Sequence, residues 1–580
     1  MSRSQRTVYL HWIRLYRLLF TDKPNMNQHN ERLYRKLTQT SNLKFNSSTQ
    51  KYSIDIPPLA NIGYDTIGCH ANSVHRNKTA LVFEDSDRSI TEFSFFELNE
   101  RAIRLAKGLT KLGITAGDTI AIHTGQRPET AIAHIATYYL GGIALTLSQL
   151  YGPDTIEHIF NHSGCKVLIT DDAAWTPLRK FRKRFKSLNH CIVTPTASGT
   201  EILFSEVLSD DSIGFQPIKT KANDPALLMY TSGSTGMPKG MLHAHKIIHA
   251  YYPTLSMFFN LELSKNDQVF WTPADWAWVG GLLDLALPAW QAGQTVVASQ
   301  HRFDASWALD FMSRHKVTHA FMTPTALKRL AEIPDPRKDH SLNLKVVCTG
   351  GESLPSEVVR WAKNDLGIVC NEFYGLTEFN HMVGNCEALY PIVPGSMGKS
   401  LPGRTIAIIN ENGVVQNDGV IGEIASWKPD EPSLFLGYWG QSKMPESMTT
   451  GNWLRSGDLA FRDSDGYFWY QGRNDDLIKS SGYRIGPAEV EDTLIRHPLV
   501  AEAAVVGKPD TDRGNIVFAF IRVTKNTEKT DELKKKLQDY VKNNLAFYKY
   551  PREIEFIDSF PLTSSGKIKR KTLRERISQK

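Results

Sequence analysis

The chain has 580 residues, of which 41% are hydrophobic, 22% charged and 10% aromatic. This composition excludes an intrinsically disordered chain, and the length exceeds what one hydrophobic core usually serves, so two or more domains are expected. The formal net charge of +7 is small for this length and lies largely near the two ends, which argues against a nucleic-acid-binding protein and is compatible with a polyanionic small ligand or an ordinary basic surface.

Residues 1–55 are predicted to form an N-terminal tail or a targeting segment. The first twenty residues carry four arginines and no acidic residue, a composition typical of a mitochondrial transit peptide and unlike a secretory signal. A disordered basic tail, or a true start at Met26, explains this segment equally well. The six cysteines lie far apart without metal-ligand spacing and indicate reduced thiols. We therefore expect a cytoplasmic protein, with the mitochondrial matrix as the alternative.

Helical and apolar segments alternate through most of the chain. Helical periodicity at residues 95–114 and 128–142 alternates with short β-branched runs, and further runs of this kind follow as far as residue 351. This alternation predicts parallel strands joined by helices. The uncharged run at residues 130–148 contains His134 and a double glycine, so a buried helix and strand are expected there rather than a membrane span.

The pattern changes after Arg404. Turn signals at residues 412–413 and 418–419 predict hairpins and a β-rich subdomain, and a smaller strand and helix pattern follows residue 475. We predict an α/β fold with a large N-terminal domain at residues 56–474, containing α/β subdomains and the β-rich subdomain. A small, mobile α+β domain is expected at residues 475–580.

The most informative segment is LLMYTSGSTGMPKGMLHAH at residues 227–245, in which an apolar strand runs into a loop rich in glycine and hydroxyl groups. Glycines let a backbone approach phosphate closely, hydroxyl and amide groups donate to phosphate oxygens, and a lysine offsets their charge. An ordinary surface loop is the alternative, and the P-loop pattern is not met. The candidate phosphate-binding residues are Thr231, Ser232, Gly233, Ser234, Thr235, Gly236 and Lys239.

The sequence TSGSTGMPKG at residues 231–240 resembles the signature phosphate loop of the adenylate-forming (AMP-binding) superfamily, which includes acyl-CoA synthetases, luciferases and peptide-synthetase adenylation domains. Further motifs follow in the family's order and resemble those of acetyl-CoA and medium-chain acyl-CoA synthetases. The resemblance implies an ATP-dependent acyl-CoA synthetase that uses Mg²⁺, ATP, coenzyme A and a carboxylic acid. It says nothing about the oligomeric state.

Two motifs are similar to the family's adenine and metal segments. GGESLP at residues 350–355 implies adenine contacts from Gly351, Glu352 and Ser353. In NEFYGLTE at residues 371–378, the resemblance implies that an aromatic ring packs on adenine, a threonine contacts phosphate and a glutamate holds Mg²⁺. These roles fall on Tyr374, Thr377 and Glu378, and the same nucleotide-binding segment includes Glu372, Phe373, Gly375 and Leu376.

Later motifs complete the resemblance. Asp458 corresponds to the family's ribose-binding aspartate, Arg473 to a ribose or α-phosphate ligand, and Asp475 to the hinge between the domains. Lys567 corresponds to the lysine that acts in adenylation, so the implied catalytic residues are Lys567, Thr231, Lys239 and Glu378. The segment implied to meet coenzyme A contains Ser481, Gly482, Tyr483 and Arg484.

The acid is less well defined than the nucleotide. Dedicated acetate enzymes of the family carry a tryptophan where this chain has Gly375, so we expect an acid longer than acetate, of short to medium chain or aromatic. Trp276 and Trp278 lie near the expected acyl tunnel, but buried core aromatics are the commoner explanation of such residues.

Three other functions remain open. A free-standing enzyme that loads a carrier protein would share the same residues, and luciferase-type oxidation has no physical argument against it. A non-catalytic sensor is disfavoured because the residues that catalysis needs are present, namely Lys239, Glu378, Asp458, Arg473 and Lys567.

Overall fold

The structure is a computed structural model that describes residues 34–49, 51–196, 199–231, 238–441, 444–480, 483–510, 513–545, 548–562 and 568–578. Two large sheets with helices on their faces form the body of the protein, and a smaller domain of strands and helices follows. The predicted α/β fold class is confirmed.

The described chain starts with a small helix and hairpin that pack against the body. The helix is Arg35–Thr40, and strand β1 (Leu43–Asn46) pairs antiparallel with β2 (Lys51–Ile54). The Tyr34 hydroxyl donates to the Ser400 carbonyl oxygen at 3.1 Å. The folded body therefore begins before residue 56, within the segment predicted to be a tail.

The large domain contains strands β3 to β24 and a set of connecting helices. In chain order the strands are β3 (Thr79–Glu84), β4 (Ile90–Ser94), β5 (Thr119–His123), β6 (Ile143–Thr146), β7 (Val167–Asp171), β8 (His190–Thr194), β9 (Ile202–Leu203), β10 (Pro225–Thr231), β11 (Lys239–Ala244), β12 (Val269–Trp271), β13 (Thr295–Ser299), β14 (His319–Phe321), β15 (Val346–Gly350), β16 (Val369–Leu376), β17 (Asn380–Gly384), β18 (Gly398–Ser400), β19 (Ile406–Ile409), β20 (Gly422–Trp427), β21 (Gly437–Tyr438), β22 (Thr449–Thr450), β23 (Trp453–Arg462) and β24 (Tyr467–Arg473). The α-helices are Cys69–Ala71, Phe95–Lys111, Pro128–Tyr139, Pro153–Ser163, Asp172–Arg179, Phe204–Val207, Ile247–Phe258, Val279–Gly281, Leu287–Gln291, Ala305–Arg314, Pro324–Ala331 and Ser356–Asn364.

The first sheet has the strand order β21-β11-β10-β6-β5-β7-β8-β9. Strands β5 to β10 in this sheet run parallel, and β11 turns back antiparallel to β10. The uncharged run at residues 130–148 forms most of the helix Pro128–Tyr139 and all of β6, as predicted. No helix in the described part of the chain is long and apolar enough to cross a membrane.

The second sheet joins the remaining α/β part to the predicted β-rich subdomain. Strands β3, β13, β12, β14, β15 and β16 run parallel, so the loops after β15 and β16 leave the same edge of the sheet. The sheet continues through β17 and β18 into β24, β23, β20 and β19. The β-rich part is therefore hydrogen-bonded to the α/β part through a continuous sheet.

The helix Pro153–Ser163 shows how local sequence sets these elements. Proline occupies its first position, where no intrahelical hydrogen bond is lost, and Gly164 ends it in the left-handed conformation with φ of 66°. Its core-facing side buries Ile156, Ile159 and Phe160. The opposite side of this helix faces the β10–β11 hairpin, through contacts described below.

The C-terminal domain contains β25 (Ile478–Ser480), β26 (Tyr483–Ile485), β27 (Val500–Asp510), β28 (Gly514–Val523), β29 (Glu553–Phe556) and the helices Pro487–Ile495, Asp531–Asn544 and Arg570–Ser578. It contacts the large domain through polar groups. The Ser356 amide donates to Asp492 Oδ1 at 3.2 Å, and Arg522 pairs with Glu332 at 2.8 Å. The mobility of this domain stays a prediction.

Candidate active site

Three of the predicted nucleotide residues lie together where β16, β23 and β24 meet. The Tyr374 hydroxyl donates to Asp458 Oδ2 at 2.6 Å, and Arg473 Nε lies 3.8 Å from Asp458 Oδ1. Asp458 and Arg473 are direct partners across the antiparallel strands. Burial, followed by the charge of Asp458, raises the pKa of the Tyr374 phenol well above its ordinary value. The phenol therefore stays protonated and holds one carboxylate oxygen of Asp458.

A second cluster surrounds Glu378. The Tyr438 hydroxyl donates to Glu378 Oε1 at 2.9 Å, and Lys239 Nζ lies 5.5 Å from the centre of the Tyr438 ring. Burial, together with the charge of Glu378, raises the pKa of Tyr438. Tyr438 was not predicted from the sequence, because it lies in the short strand β21, outside every motif used.

The residues of this second cluster fit a magnesium ion that is shared with a substrate. Mg²⁺ usually takes one or two carboxylates and completes its shell with water and substrate phosphates. Glu378 offers a carboxylate beside the stem of the phosphate loop, and the described residues contain no group of three or more His, Cys, Asp and Glu side chains that could hold a metal ion. Mg²⁺ bound here would depend on Glu378 and on the phosphates of the nucleotide.

The predicted phosphate loop connects β10 to β11. Thr231 pairs with Lys239 and Tyr230 with Gly240 in the antiparallel register, so the loop leaves and re-enters the sheet at adjacent positions. A Cβ on Gly240 would lie 2.9 Å from Cζ of Tyr230, which explains why a glycine follows the lysine. The remaining predicted loop residues lie outside the described part of the chain, namely Ser232, Gly233, Ser234, Thr235 and Gly236.

The two predicted adenine segments lie side by side because β15 pairs in parallel with β16. Gly351 adopts a φ of 90° directly after β15, and Glu352 accepts a hydrogen bond of 2.7 Å from the Thr325 hydroxyl. Burial raises the pKa of Glu372 well above its ordinary value, and the charge of Asp492 adds to this shift while the Leu354 backbone amide opposes it. Glu372 is therefore buried in surroundings that favour its neutral form.

Two residues of the segment 371–378 have packing roles in the structure. Phe373 is buried and stacks on Phe258 with ring centres 4.5 Å apart, on the side of β16 opposite to Tyr374. Its side chain belongs to the core, and its assignment to the nucleotide-binding segment stays a prediction.

Gly375 does not leave an open floor in the acyl pocket. A Cβ at this position would lie 1.9 Å from the Asn380 carbonyl oxygen, at a bulge between Tyr374 and Gly375 in the β16–β17 pairing. The missing side chain allows the backbone of β17 to approach closely. The glycine therefore serves the packing of two strands, and the size of the acid pocket does not follow from it.

The segment after β12 contains a residue that the sequence did not single out. The Asp275 carboxylate accepts hydrogen bonds from the Ser148 hydroxyl at 3.2 Å and the Ala277 amide at 3.0 Å. Burial raises the pKa of Asp275 to about 6. Trp276 is fully buried in the core against Trp290, as the alternative interpretation held, and the half-buried Trp278 contacts Tyr151 edge to face.

The residues predicted to act from the C-terminal domain are described only in part. Asp475 lies in the helical turn Asn474–Asp476, which joins β24 to β25 at the predicted hinge position. Tyr483 and Arg484 lie in β26. Lys567, Ser481 and Gly482 lie outside the described residues. The positions of these residues relative to the nucleotide site stay predictions.

Comparison with known proteins places this arrangement in a family. The family model of the AMP-binding enzyme matches residues 70–439, and that of the AMP-binding enzyme C-terminal domain matches residues 489–567. The chain belongs to the AMP-binding enzyme family. The resemblance inferred from the motifs is thereby confirmed, and the C-terminal match starts close to the predicted hinge.

Similar proteins of this family are acyl-CoA ligases. The chain is 34% identical over 502 residues to the uncharacterized acyl-CoA ligase YtcI of Bacillus subtilis (strain 168), covering 87% of this chain and 94% of that protein. It is also 34% identical over 524 residues to the acetyl-coenzyme A synthetase of the same organism, covering 89% and 90%. The crystal structure of the anthranilate CoA ligase AuaEII in complex with anthranoyl-AMP has a TM-score of 0.82 at 28% identity and covers 90% of this chain and 98% of that chain. The expected acyl-CoA synthetase branch is confirmed.

Proposed function

We propose that this AMP-binding enzyme is an ATP-dependent acyl-CoA synthetase that converts a carboxylic acid, ATP and coenzyme A into acyl-CoA, AMP and pyrophosphate. The observation that carries the proposal is the contact between Tyr374 and Asp458. Tyr374 lies four residues before Glu378, which contacts Tyr438. A ribose diol needs a fixed acceptor, and a triphosphate needs a metal ligand and a cation nearby. Asp458, Glu378 and Lys239 supply these groups.

In the first half-reaction, a carboxylate oxygen of the acid attacks the α-phosphorus of ATP, and the bond to pyrophosphate breaks. Negative charge collects on the phosphate oxygens and is stabilised by fixed cations. Lys239 contributes one positive charge, and Lys567 contributes another when the C-terminal domain brings it to the site. Glu378 would hold Mg²⁺, which would supply positive charge against the leaving phosphates.

In the second half-reaction, the sulfur of coenzyme A attacks the acyl carbon of the adenylate, the thiol releases its proton, and AMP leaves. Rotation about Asp475 would withdraw Lys567 and bring the segment 481–484 toward the acyl group. No covalent enzyme intermediate is required. The two half-reactions therefore use different residues of the C-terminal domain.

For the acid, we propose a short- to medium-chain or aromatic carboxylic acid. The support is the names of the similar proteins, which include an acetyl and an anthranilate enzyme. Such different acids are handled on one fold by changes in pocket side chains. The acid must therefore be identified by assay.

The test uses the full-length protein with Mg-ATP, coenzyme A and a panel of acids from acetate to dodecanoate, with benzoate and anthranilate. We expect AMP release that requires both an acid and coenzyme A, with a C4 to C10 or aromatic acid preferred over acetate. Pyrophosphate exchange that occurs while coenzyme A is not used as acceptor would instead favour the loading of a carrier protein. Absence of acyl-adenylate with every acid would contradict the proposed function.

A matched variant separates the two half-reactions. Lys567→Ala is expected to lose acyl-adenylate formation by at least about a hundredfold, because a charge that stabilises the transition state is removed. The same variant should still convert synthetic acyl-adenylate and coenzyme A into acyl-CoA. Equal loss of both half-reactions would contradict the proposed role of Lys567.

A further inference from the structure

Two histidines on the helix Pro153–Ser163 contact both ends of the phosphate loop. His162 Nδ1 lies 2.7 Å from the Tyr230 hydroxyl, at the end of β10, and His158 Nε2 lies 3.1 Å from the Pro238 carbonyl oxygen, at the start of β11. Tyr230 directly precedes Thr231, and Pro238 directly precedes Lys239. The two contacts therefore bracket the loop that the family resemblance assigns to the ATP phosphates.

The two histidines form one unit on the surface of the helix. They are four residues apart, so their side chains lie on the same face, and their rings stack with centres 5.5 Å apart and planes at 11°. His158 must donate from Nε2, because the Pro238 carbonyl oxygen can only accept. Partial desolvation and then the charge of His158 lower the pKa of His162, which favours a neutral ring beside Tyr230.

Other contacts fix this helix to the same hairpin. The Tyr151 hydroxyl, just before the helix, donates to the Tyr230 carbonyl oxygen at 3.0 Å. At the other end, Trp439 Nε1 donates to the His162 carbonyl oxygen at 3.1 Å, and the Trp439 amide donates to the Gly240 carbonyl oxygen at 2.8 Å. The helix is thus held against both stems of the loop, and the two histidine side chains contact one stem each.

We propose that His158 and His162 are positioning residues for ATP, which hold the two stems of the loop at the separation that triphosphate binding requires. A binding site whose flanking strands are already fixed loses less conformational entropy when its ligand binds. Neither residue lies in a motif that identified the family. The inference rests on the proposed function, because it assumes that residues 232–237 bind the phosphates of ATP.

The test exploits the difference between the two ring nitrogens. The amide of asparagine occupies the position of Nδ1, and the longer glutamine places its amide near Nε2. The double variant His158→Gln with His162→Asn keeps a polar group at both contacting positions and is called the matched variant. The double variant His158→Asn with His162→Gln has the same composition with both groups displaced and is called the misplaced variant. Neither histidine is fully buried, so both variants are expected to fold with melting temperatures close to that of the unaltered protein.

We expect the misplaced variant to raise the KM for ATP in acyl-adenylate formation by about tenfold, from two weakened hydrogen bonds. The matched variant should stay within about threefold of the unaltered protein. The KM for the acid should not change. Conversion of preformed acyl-adenylate with coenzyme A should also be unchanged in both variants, since no triphosphate takes part.

Hydrogen–deuterium exchange of the peptide 228–242 gives a readout that does not depend on activity. Faster exchange in the misplaced variant than in the matched one is expected if the histidines hold the stems. Equal KM values for ATP and equal exchange in the two variants would overturn the inference, as would equal loss of both half-reactions. If the unaltered protein forms no acyl-adenylate, the proposed function fails. The exchange comparison then tests the histidines by itself: faster exchange in the misplaced variant supports their holding of the stems, and equal exchange in the two variants contradicts it.

Discussion

The phenol of Tyr374 and the carboxylate of Asp458, which lie 84 residues apart in the chain, are joined by a hydrogen bond of 2.6 Å. The aromatic residue assigned to adenine therefore also orients the carboxylate assigned to ribose. Asp458 has a second partner on its other oxygen, Arg473, at 3.8 Å. The nucleotide site thus contains a preformed acceptor that is held from two sides.

Replacing Tyr374 by phenylalanine should weaken ATP binding without removing the ring. Loss of a hydrogen bond to a charged group costs about 1.5 to 3 kcal/mol, and only part of this is expected to appear in binding. We expect Tyr374→Phe to raise the KM for ATP by about tenfold, measured by pyrophosphate exchange. Tyr467→Phe, which removes a phenol that donates to the Pro391 carbonyl oxygen at 2.7 Å, is the matched control. The same KM in both variants would refute the orienting role of Tyr374.

The Tyr438 hydroxyl should affect the magnesium requirement. It orients Glu378 from outside the ligand shell, and loss of such partners typically weakens metal binding by about 10- to 100-fold. We expect Tyr438→Phe to raise the magnesium concentration for half-maximal acyl-adenylate formation by about tenfold, with little change in the rate at saturation. Tyr390→Phe, which loses a hydroxyl that donates to the Gly384 carbonyl oxygen, is the control. An unchanged magnesium dependence would count against Glu378 as the ligand.

Asp275 should make the stability depend on pH. The pKa of Asp275 is about 6 in the folded protein, compared with the ordinary value of 3.8 that applies to the unfolded chain. Between pH 3.8 and 6 the folded state therefore binds the proton more tightly than the unfolded state. Stability is therefore lost as the pH rises from about 4 to 6, by at most about 3 kcal/mol, and stays at this lower level above pH 6. Asp275→Asn should be more stable than the unaltered protein above pH 6 and equal to it below pH 4.

The measurement for Asp275 is urea unfolding at a series of pH values. Asp339→Asn, at an exposed position, is the matched control. A stability difference for Asp275→Asn that does not change with pH would contradict the raised pKa of the Asp275 carboxyl group.

Gly375 should not tolerate even a methyl group. A Cβ would lie 1.9 Å from the Asn380 carbonyl oxygen, so the β16–β17 pairing would have to shift. We expect Gly375→Ala to lower the free energy of unfolding by about 2 kcal/mol or more. Gly152→Ala, where a Cβ meets open space, is the control and should change the stability far less. Gly375→Trp, the substitution that the sequence suggests for acid preference, is expected to disrupt folding.

Each motif lies in a short segment with a fixed relation to its strand, and the structure brings Tyr374, Asp458 and Arg473 together. Glu378 lies in a separate cluster with Tyr438, and the roles of all four residues toward the nucleotide stay predictions. Tyr438 and Asp275 were missed for a physical reason. Their roles depend on partners far away in the chain, and nothing in their own segments distinguishes them from core residues.

Gly375 and the N-terminal boundary show the limits of reading a sequence locally. A small residue was interpreted as empty space, whereas the neighbouring strand supplies backbone that fills it. The polar sequence before residue 56 gave no sign of β1 and β2, which are stabilised by contacts with the body rather than by strong local preference. Both cases depend on tertiary packing, which local patterns do not record.

The contact between Ser356 and Asp492 couples the position of the C-terminal domain to the stability of a helix in the large domain. The helix Ser356–Asn364 has Pro355 at its N-cap, where no side chain caps the helix, and Asp492 of the C-terminal domain accepts from its first turn instead. A helix cap contributes about 0.5 to 2 kcal/mol. Rotation that separates these residues would return the Ser356 amide to water, so the orientation of one domain and the end stability of a helix in the other are thermodynamically linked.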